Sequence, residues 1–424
     1  MKEACLKPQD VVIIGSGFVG VATAMWLQKS GHRVTLVDPK PFEKGAYFGN
    51  AGTIATYANI PVGTPRIIKQ IPKLLFNPNS PLSINWAHLP WLTPWLLRFA
   101  WASRPSQVER IGYQLGILLS HSHSALAPLI ETAHGHDLVA KNGTLYLYGS
   151  ETGFVKAKPD IDLRRRHGIS VTELTKAEIG DLEPHLKPIY ARGLFFENAQ
   201  HLLSPLDLLK RMGESVITNG GKIITNKALG IDRVSENKLK VQLQDSNVLC
   251  NKVVVAAGAW SKSLAQQAGD KLPLDTEQGY HVMYEGAQKV LNRPVGWADA
   301  GFYMTPMNNG LRAAGTVELA GLNNPTNPQR LKLIADTVKT LLPQLKDHDG
   351  EWTGFRPSMP DSMPVIGQSS KDVDIYYAFG HGHIGVTLSG ITGKLISELI
   401  DGKQPSVDIS AFAAQRFNRY VPPF

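Results

Sequence analysis

Val11-Val12-Ile13-Ile14 is a continuous apolar run, the pattern of a strand covered on both faces, and Gly15-Ser16-Gly17-Phe18-Val19-Gly20 follows it directly. Residues 18–30 then set small and apolar side chains at Val21, Ala22, Ala24, Met25 and Leu27, which predicts a helix that Gly31 ends in a left-handed conformation. Residues 32–38 read as a second strand. The same order of apolar strand, glycine turn and helix returns at Lys252-Val253-Val254-Val255-Ala256-Ala257-Gly258-Ala259-Trp260-Ser261. A third apolar strand, Ile375–Phe379, runs into Gly380-His381-Gly382-His383-Ile384-Gly385-Val386-Thr387, with a helix beginning near Ile384. Parallel-sheet architecture therefore starts, stops and resumes, and its domain must be discontinuous.

Between these landmarks the pattern changes. Residues 111–133 predict a helix, 140–148 alternate as a strand, Leu163 to His167 opens a polar connection, and 206–219 form an amphipathic helix before the strand Lys222–Thr225. Residues 271–349 carry short alternating stretches, among them Gly301-Phe302-Tyr303-Met304-Thr305-Pro306, which predict an inserted antiparallel sheet. The expected fold is α/β: a discontinuous Rossmann-like domain over 8–90, 200–270 and 350–420, with an α+β substrate domain over 91–199 and 271–349. Residues 75–102 stand apart, with Trp86, Trp91, Trp95 and Trp101 among leucines and interrupted by Pro90 and Pro94. A helix buried against the sheet is the expectation there; the alternative is an amphipathic patch on a membrane interface.

Composition narrows this picture. With 424 residues, 43% apolar and 19% charged, the chain is an ordinary globular protein, and disorder, collagen and coiled coil are excluded. The formal charge of +8 favours anionic ligands or surfaces without choosing among them. Arg164, Arg165 and Arg166 read as a solvated helix face, because no aromatic interleaving points to nucleic acid. Cys5 and Cys250 are too few for a disulfide framework or a cysteine metal site, so a reducing, cytoplasmic compartment is expected. The first ten residues lack the layout of a signal peptide, and no apolar run reaches spanning length.

The first segment carries chemistry. Gly15 allows a tight turn, Gly17 lets the backbone approach a pyrophosphate, Gly20 permits close helix-to-strand packing, and the helix N-terminus offers unpaired N–H groups. Asp38, at the end of the second strand, is placed to accept hydrogen bonds from ribose hydroxyls. This fingerprint does not separate FAD from NAD. The carboxy-terminal helix start does bear on it, because a reduced flavin carries negative charge that a helix N-terminus stabilises, whereas a nicotinamide gains none. His381 and His383 lack further ligands nearby, so no metal is expected. Arg356, fixed before Pro357, suits a two-pronged grip on a carboxylate.

Taken together, Gly15 to Gly20, Asn50-Ala51-Gly52, Ala256 to Trp260, Gly354-Phe355-Arg356-Pro357 and Gly380 to Gly390 resemble the FAD-dependent D-amino-acid oxidase superfamily, most of all its bacterial D-amino-acid dehydrogenases. The resemblance implies non-covalent FAD, with Gly15, Gly17, Gly20 and Asp38 on its ADP half and Asn50, Ala51 and Gly52 near the ring system. Gly382, His383, Ile384, Gly385 and Thr387 would line the pyrimidine edge of the flavin. Phe18, Val19, Pro39, Lys40 and Thr53, with Ala257, Gly258, Trp260, Gly354 and Val386, complete the implied cofactor contacts, and Arg356 is shared with substrate. Arg356, Tyr303, Tyr47 and His383 would meet the substrate, and no acid or base of the chain is implied as catalytic. Asp38 departs from the superfamily's usual Glu, and Tyr47 from the usual Ser or Thr. The implied reaction is oxidative deamination of an amino acid by hydride transfer to flavin N5, with quinone or another carrier as acceptor. Oxidation of a secondary amine such as glycine, sarcosine, proline or hydroxyproline is the alternative, and a peripheral electron-transfer flavoprotein on the inner face of the cytoplasmic membrane is an alternative of another class.

Overall fold

Six strands form one sheet in the order Lys222–Thr225, Arg33–Asp38, Asp10–Ile14, Lys252–Val255, Ile375–Phe379 and Val365–Gln368; the first five run parallel and the last antiparallel. The computed structural model describes residues 8–43, 45–75, 80 and 82–418. The apolar runs are explained by cover on both faces: Val11 and Ile13 join one core, Val12 and Ile14 another. The first core holds the helices Phe18–Lys29, Pro205–Thr218 and Gly385–Ile400. The second lies under a three-stranded antiparallel meander, Ala228–Ser235, Lys238–Leu243 and Asn247–Cys250, and the helix Ser261–Gln267. Helix approach on the first face is close enough that a Cβ on Gly393 would lie 2.7 Å from the Ala22 backbone, and one on Gly390 2.6 Å from Leu126 N.

A nine-stranded sheet follows the order Gly350–Ser358, Asp275–Glu285, Gly310–Leu319, Phe302–Met307, Val295–Trp297, Thr144–Tyr148, Arg192–Phe196 and Thr172–Leu174, with Leu82–Ile84 added beside Gly310–Leu319. It is antiparallel except where Val295–Trp297 meets Thr144–Tyr148 and where Leu82–Ile84 joins. The helix Pro328–Leu341 covers one face through Leu331, Ile334, Val338 and Leu341. The α/β fold with a second, largely antiparallel sheet is as the pattern predicts.

Several details differ. The helix expected over 111–133 is two, Pro105–Ser120 and Ser122–Thr132, and the strand over 140–148 is also two, Val139–Ala140 and Thr144–Tyr148, with Gly143 at φ +72° between them. The connection expected from Leu163 is the last turn of the helix Glu151–Arg166. The helices over 105–132, allotted from sequence to the inserted unit, bury Ile111, Leu115, Leu118, Ala125 and Leu129 in the first core, because Gly390 gives them close access to the last helix. Leu82–Ile84 and Gly350–Ser358, allotted to the first unit, hydrogen-bond into the larger sheet instead. The tryptophan-rich segment is a helix, Leu89–Ala102, that continues through Pro94. It buries Leu92, Trp95 and Phe99 against Leu319 and exposes Trp91 and Leu97, and the turn Trp86–His88 before it exposes Trp86. Cys5 lies outside the described residues, and burial pushes the Cys250 thiol up to about 12. No helix among the described residues is long and apolar enough to cross a membrane.

Two buried histidines make stability depend on pH. Burial lowers His201 to about 4, and lowers His381, which hydrogen-bonds Thr392 Oγ1 at 2.9 Å, to about 3. An unfolded histidine titrates near 6.5, so below that pH the unfolded chain binds more protons than the folded one. Stability from both groups is therefore complete above about pH 6.5 and falls as pH drops towards 4, by up to about 1.4 kcal/mol per pH unit for each. Urea midpoints at pH 7, 6 and 5 measure this, and His201→Gln is expected to remove about one proton from the slope; a midpoint unchanged between pH 7 and 5 would contradict it.

Candidate active site

A cavity of about 1200 Å³ lies between the two sheets, at the carboxyl ends of the parallel strands. One end is built on backbone closeness. Gly15 has φ +114°, and a Cβ there would lie 2.3 Å from the Ala256 carbonyl oxygen; one on Gly20 would lie 2.0 Å from the Gly15 carbonyl oxygen. The two Asp38 carboxylate oxygens accept from Ser16 N–H and Lys40 N–H, each at 2.8 Å, so this residue ties the glycine turn to the loop after the second strand. The helices Phe18–Lys29 and Gly385–Ile400 both start without a side-chain cap or an acidic residue in the first turn. Their unpaired N–H groups and positive ends are left for whatever occupies the cavity.

The expected cofactor residues distribute as follows. Gly15, Gly17, Phe18, Val19 and Asp38 line the cavity, as do Pro39 and Lys40 on the following loop. Asn50, Ala51, Gly52 and Thr53 form a second stretch of wall, in which Asn50 Oδ1 accepts from Gly52 N at 2.6 Å. Ala257, Gly258 and Trp260 line it from the Lys252–Val255 side, and Gly354, Gly382, Gly385 and Val386 from the carboxy-terminal side. Gly20, Ile384 and Thr387 do not line it. Gly20 is a packing glycine, Ile384 is buried in the first core, and Thr387 Oγ1 accepts from Ala55 N at 2.9 Å, fastening the last helix to the loop at 53–55.

The other end is built on the larger sheet. Arg356 pairs in register with Glu277, and its guanidinium lies over Gly279, where a Cβ would be 2.4 Å from Nη2. Nη1 donates to the Thr316 carbonyl at 3.0 Å, which is turned to it by a bulge with Thr316 at φ +53°. Burial lowers the Arg356 pKa while Glu277 opposes the shift, and the Glu277 carboxylate accepts from Ser358 Oγ at 2.5 Å. His383 faces the same cavity; surrounding protein lowers its pKa, Glu277 opposing and Arg356 adding, so the imidazole is neutral at neutral pH. Tyr303 accepts a hydrogen bond from Tyr57 at 3.3 Å and lies 5.8 Å from the Tyr146 ring, across the bare surface of Gly296. Burial raises Tyr57 to about 12 and Tyr303 well above its ordinary value, so both stay protonated.

Tyr47 is a correction. Expected beside the substrate, its ring packs 3.6 Å from the Cβ position of Gly17 and edge-on to Phe18, and burial together with Asp38 raises its pKa. The turn that hydrogen-bonds Phe48 N to the Gly45 carbonyl swings it to the glycine-turn end. Arg164 is another. Arg165 and Arg166 face outward to Glu173 and Glu109, whereas Arg164 lines the cavity. Sequence reasoning also missed Tyr57, Tyr146, Glu277 and Arg312. Of these only Tyr146 carried a local signal, a second aromatic side chain, Tyr148, on the same face of its strand. Arg312 donates to the carbonyls of Phe48 at 2.7 Å and Asn50 at 3.1 Å, so the larger sheet holds the loop that lines the first end. Among the described residues no three His, Cys, Asp or Glu side chains gather as a metal site.

Comparisons with known proteins agree with this geometry. The family model described as FAD dependent oxidoreductase, DAO, matches residues 10–399. The chain is similar to a D-amino-acid oxidase of Bradyrhizobium diazoefficiens, 38% identical with 96% of this chain and 99% of that protein covered. It is also similar to a D-amino acid dehydrogenase of Paramagnetospirillum magneticum, 29% identical with 97% and 99% covered. A solved glycine oxidase from Geobacillus kaustophilus shares the fold with a TM-score of 0.77, at 21% identity over 98% of this chain and 100% of that one. With nearly the whole sequence matched, the chain belongs to the DAO family of FAD dependent oxidoreductases.

Proposed function

We propose that the protein binds FAD without a covalent link and oxidises D-amino acids to 2-oxo acids and ammonia. The observation that carries this reading is Arg356, a cation held over Gly279 in a wall of the same cavity into which the glycine turn and two uncapped helix starts open. The donor set suits FAD. Backbone N–H groups behind Gly15 and Gly17 fit a pyrophosphate, Asp38 retains lone pairs for ribose hydroxyls, and the start of Gly385–Ile400 fits a ring that becomes anionic on reduction. Bound FAD supplies a two-electron acceptor for the hydride of the α-carbon.

The remaining work falls to this chain. Arg356 is suited to take the α-carboxylate in two parallel hydrogen bonds, and its bond to the Thr316 carbonyl sets the guanidinium plane. Tyr303, braced by Tyr57, limits how the rest of the substrate lies. The substrate ammonium must lose its proton before the amine is oxidised, and the neutral His383 does not compete with the amine for that proton. Orientation carries the rate in this scheme. D-amino acids are preferred to secondary amines in the reading because the relatives covered end to end are a D-amino-acid oxidase and a D-amino acid dehydrogenase. Electrons pass on to a quinone or another carrier. Trp86 at 57%, Trp91 at 73% and Leu97 at 53% exposure, in one short segment of a basic protein, suit contact with an anionic lipid interface where a quinone is reached.

Anaerobic mixing with D- and L-amino acids, glycine, sarcosine and proline tests the reaction. Bleaching of the oxidised flavin by D-amino acids is expected, and bleaching by proline or sarcosine alone moves the assignment to secondary amines. Arg356→Ala is expected to raise KM about a hundredfold or more while flavin stays bound; unchanged kinetics would remove Arg356 from the site. Acid precipitation is expected to leave the flavin in the supernatant, and yellow pellet protein would show a covalent link. Flotation with anionic liposomes is expected to carry the protein upward, and failure with every lipid mixture would remove the membrane contact while leaving the reaction as proposed.

A further inference from the structure

We infer that the cavity contains a second carboxylate subsite centred on Arg164, and that the amino acids this enzyme prefers carry an acidic side chain. The inference rests on the oxidation reading above and deepens it by naming a substrate class. Arg66, Asp160 and Arg164 all line the cavity beside Tyr57, Tyr146 and Tyr148. Arg66 Nη2 and Asp160 Oδ2 pair at 2.9 Å and cancel each other's charge. Arg164 has no such partner among the described residues. Its Nε donates to the Tyr57 carbonyl at 3.3 Å and its Nη1 to the Asp160 carbonyl at 3.4 Å, both long bonds to neutral groups. The contrast with its neighbours is informative, since Arg165 and Arg166 each meet a carboxylate at 2.9 Å on the outer surface. One cation of three consecutive arginines is thus turned inward, partly buried, and left without a counter-charge.

A partly buried guanidinium beside phenol rings is costly to leave unmatched, and a carboxylate fits its fork. Tyr146 and Tyr148 add two hydroxyls that form no hydrogen bond among the described residues, so donors other than the guanidinium face the same space. The position fits one ligand spanning both arginines. Arg356 already reaches across Gly279 to the Thr316 carbonyl, and Tyr146 reaches back over Gly296 towards Tyr303. Thr316 and Tyr303, the far points of these two reaches, stand on adjacent strands, and Arg164 lies off the sheet beside the same tyrosines, its Nε on the Tyr57 carbonyl. That suits the side chain of glutamate or 2-aminoadipate, with the α-carboxylate on Arg356 and the distal one at Arg164.

Two readouts test this on the flavin-loaded protein. The first is kcat/KM for D-glutamate and D-2-aminoadipate against the neutral D-glutamine and D-norleucine. The acidic pair is expected to be favoured about tenfold or more, and Arg164→Met to lower that acidic-to-neutral ratio about 30-fold or more, mainly through KM, with Arg164→Lys restoring part of it. The second is binding without turnover: glutarate is expected to perturb the flavin spectrum at much lower concentration than valerate, and Arg164→Met to remove the difference. Equal oxidation of acidic and neutral substrates by the unaltered protein overturns the inference and leaves the oxidation reading standing. An equal loss on both substrate classes in Arg164→Met also overturns it, because it marks a structural role through the Tyr57 carbonyl. If no amino acid bleaches the flavin, the oxidation reading falls instead, and the glutarate-to-valerate comparison on the unaltered protein still decides the subsite, as it does if Arg164→Met does not fold.

Discussion

Close approach of one backbone to another at the carboxyl ends of the parallel strands is the constraint from which the rest follows. Side chains at Gly15 and Gly20 would collide with main-chain oxygen, and those at Gly390 and Gly393 with the backbone of neighbouring helices. Their absence lets the first and last helices share one core and start at one edge of one sheet. Two helix N-termini then open on a single cavity, and neither is satisfied by a capping side chain. A fold that leaves so many N–H groups unpaired has placed them where a ligand can complete them.

The second sheet does more than enclose that cavity. Arg312, buried within it, holds two carbonyls of the loop at 48–50, and a Cβ on Gly49 would fall inside the Trp352 ring. The wall near the expected flavin ring is thereby positioned by the sheet that also carries Arg356 and Tyr303. This coupling matters for a reaction governed by orientation, because the two halves of the cavity are fixed against each other by buried polar contacts as well as by apolar packing. The allowed side chains follow from it. Gly279 and Gly296 supply bare backbone exactly where a guanidinium or a tyrosine ring must cross a strand, so the sheet is thin at the positions where long side chains converge.

What was legible in the sequence was local. Four-residue apolar runs, a glycine turn and an acidic residue at a strand end are short-range signals, and the strands Asp10–Ile14, Lys222–Thr225, Lys252–Val255 and Ile375–Phe379 stand where those signals placed them. Long-range placement was not legible. Nothing in the residues between 105 and 132 says that their apolar faces pack under the last helix, since an amphipathic stripe does not name its partner. The run Arg164 to Arg166 shows the same limit at single-residue scale: three identical side chains at successive helical positions point in three directions, and only the fold decides which one turns inward. Tyr47 went astray for a related reason, because a loop without periodicity gives no direction to its side chains.

The net charge of +8 does not describe the cavity, where pairing is local. Asp38 accepts from two backbone donors, Asp160 pairs with Arg66, and Glu277 lies beside Arg356 with Ser358 donating to it. Each anion in that wall has an answer within the protein. The guanidiniums do not balance in the same way: the Glu277 beside Arg356 is bonded by a serine, and among the described residues Arg164 meets carbonyls alone. Burying a cation with an incomplete shell is unfavourable in the free protein, and folding tolerates it only where the surrounding structure holds it in place. Tyr57, whose carbonyl accepts from Arg164 Nε, is itself stacked on Phe196 with ring centroids 4.0 Å apart. An anion pairing with the guanidinium relieves that cost, which favours an acidic ligand at this position.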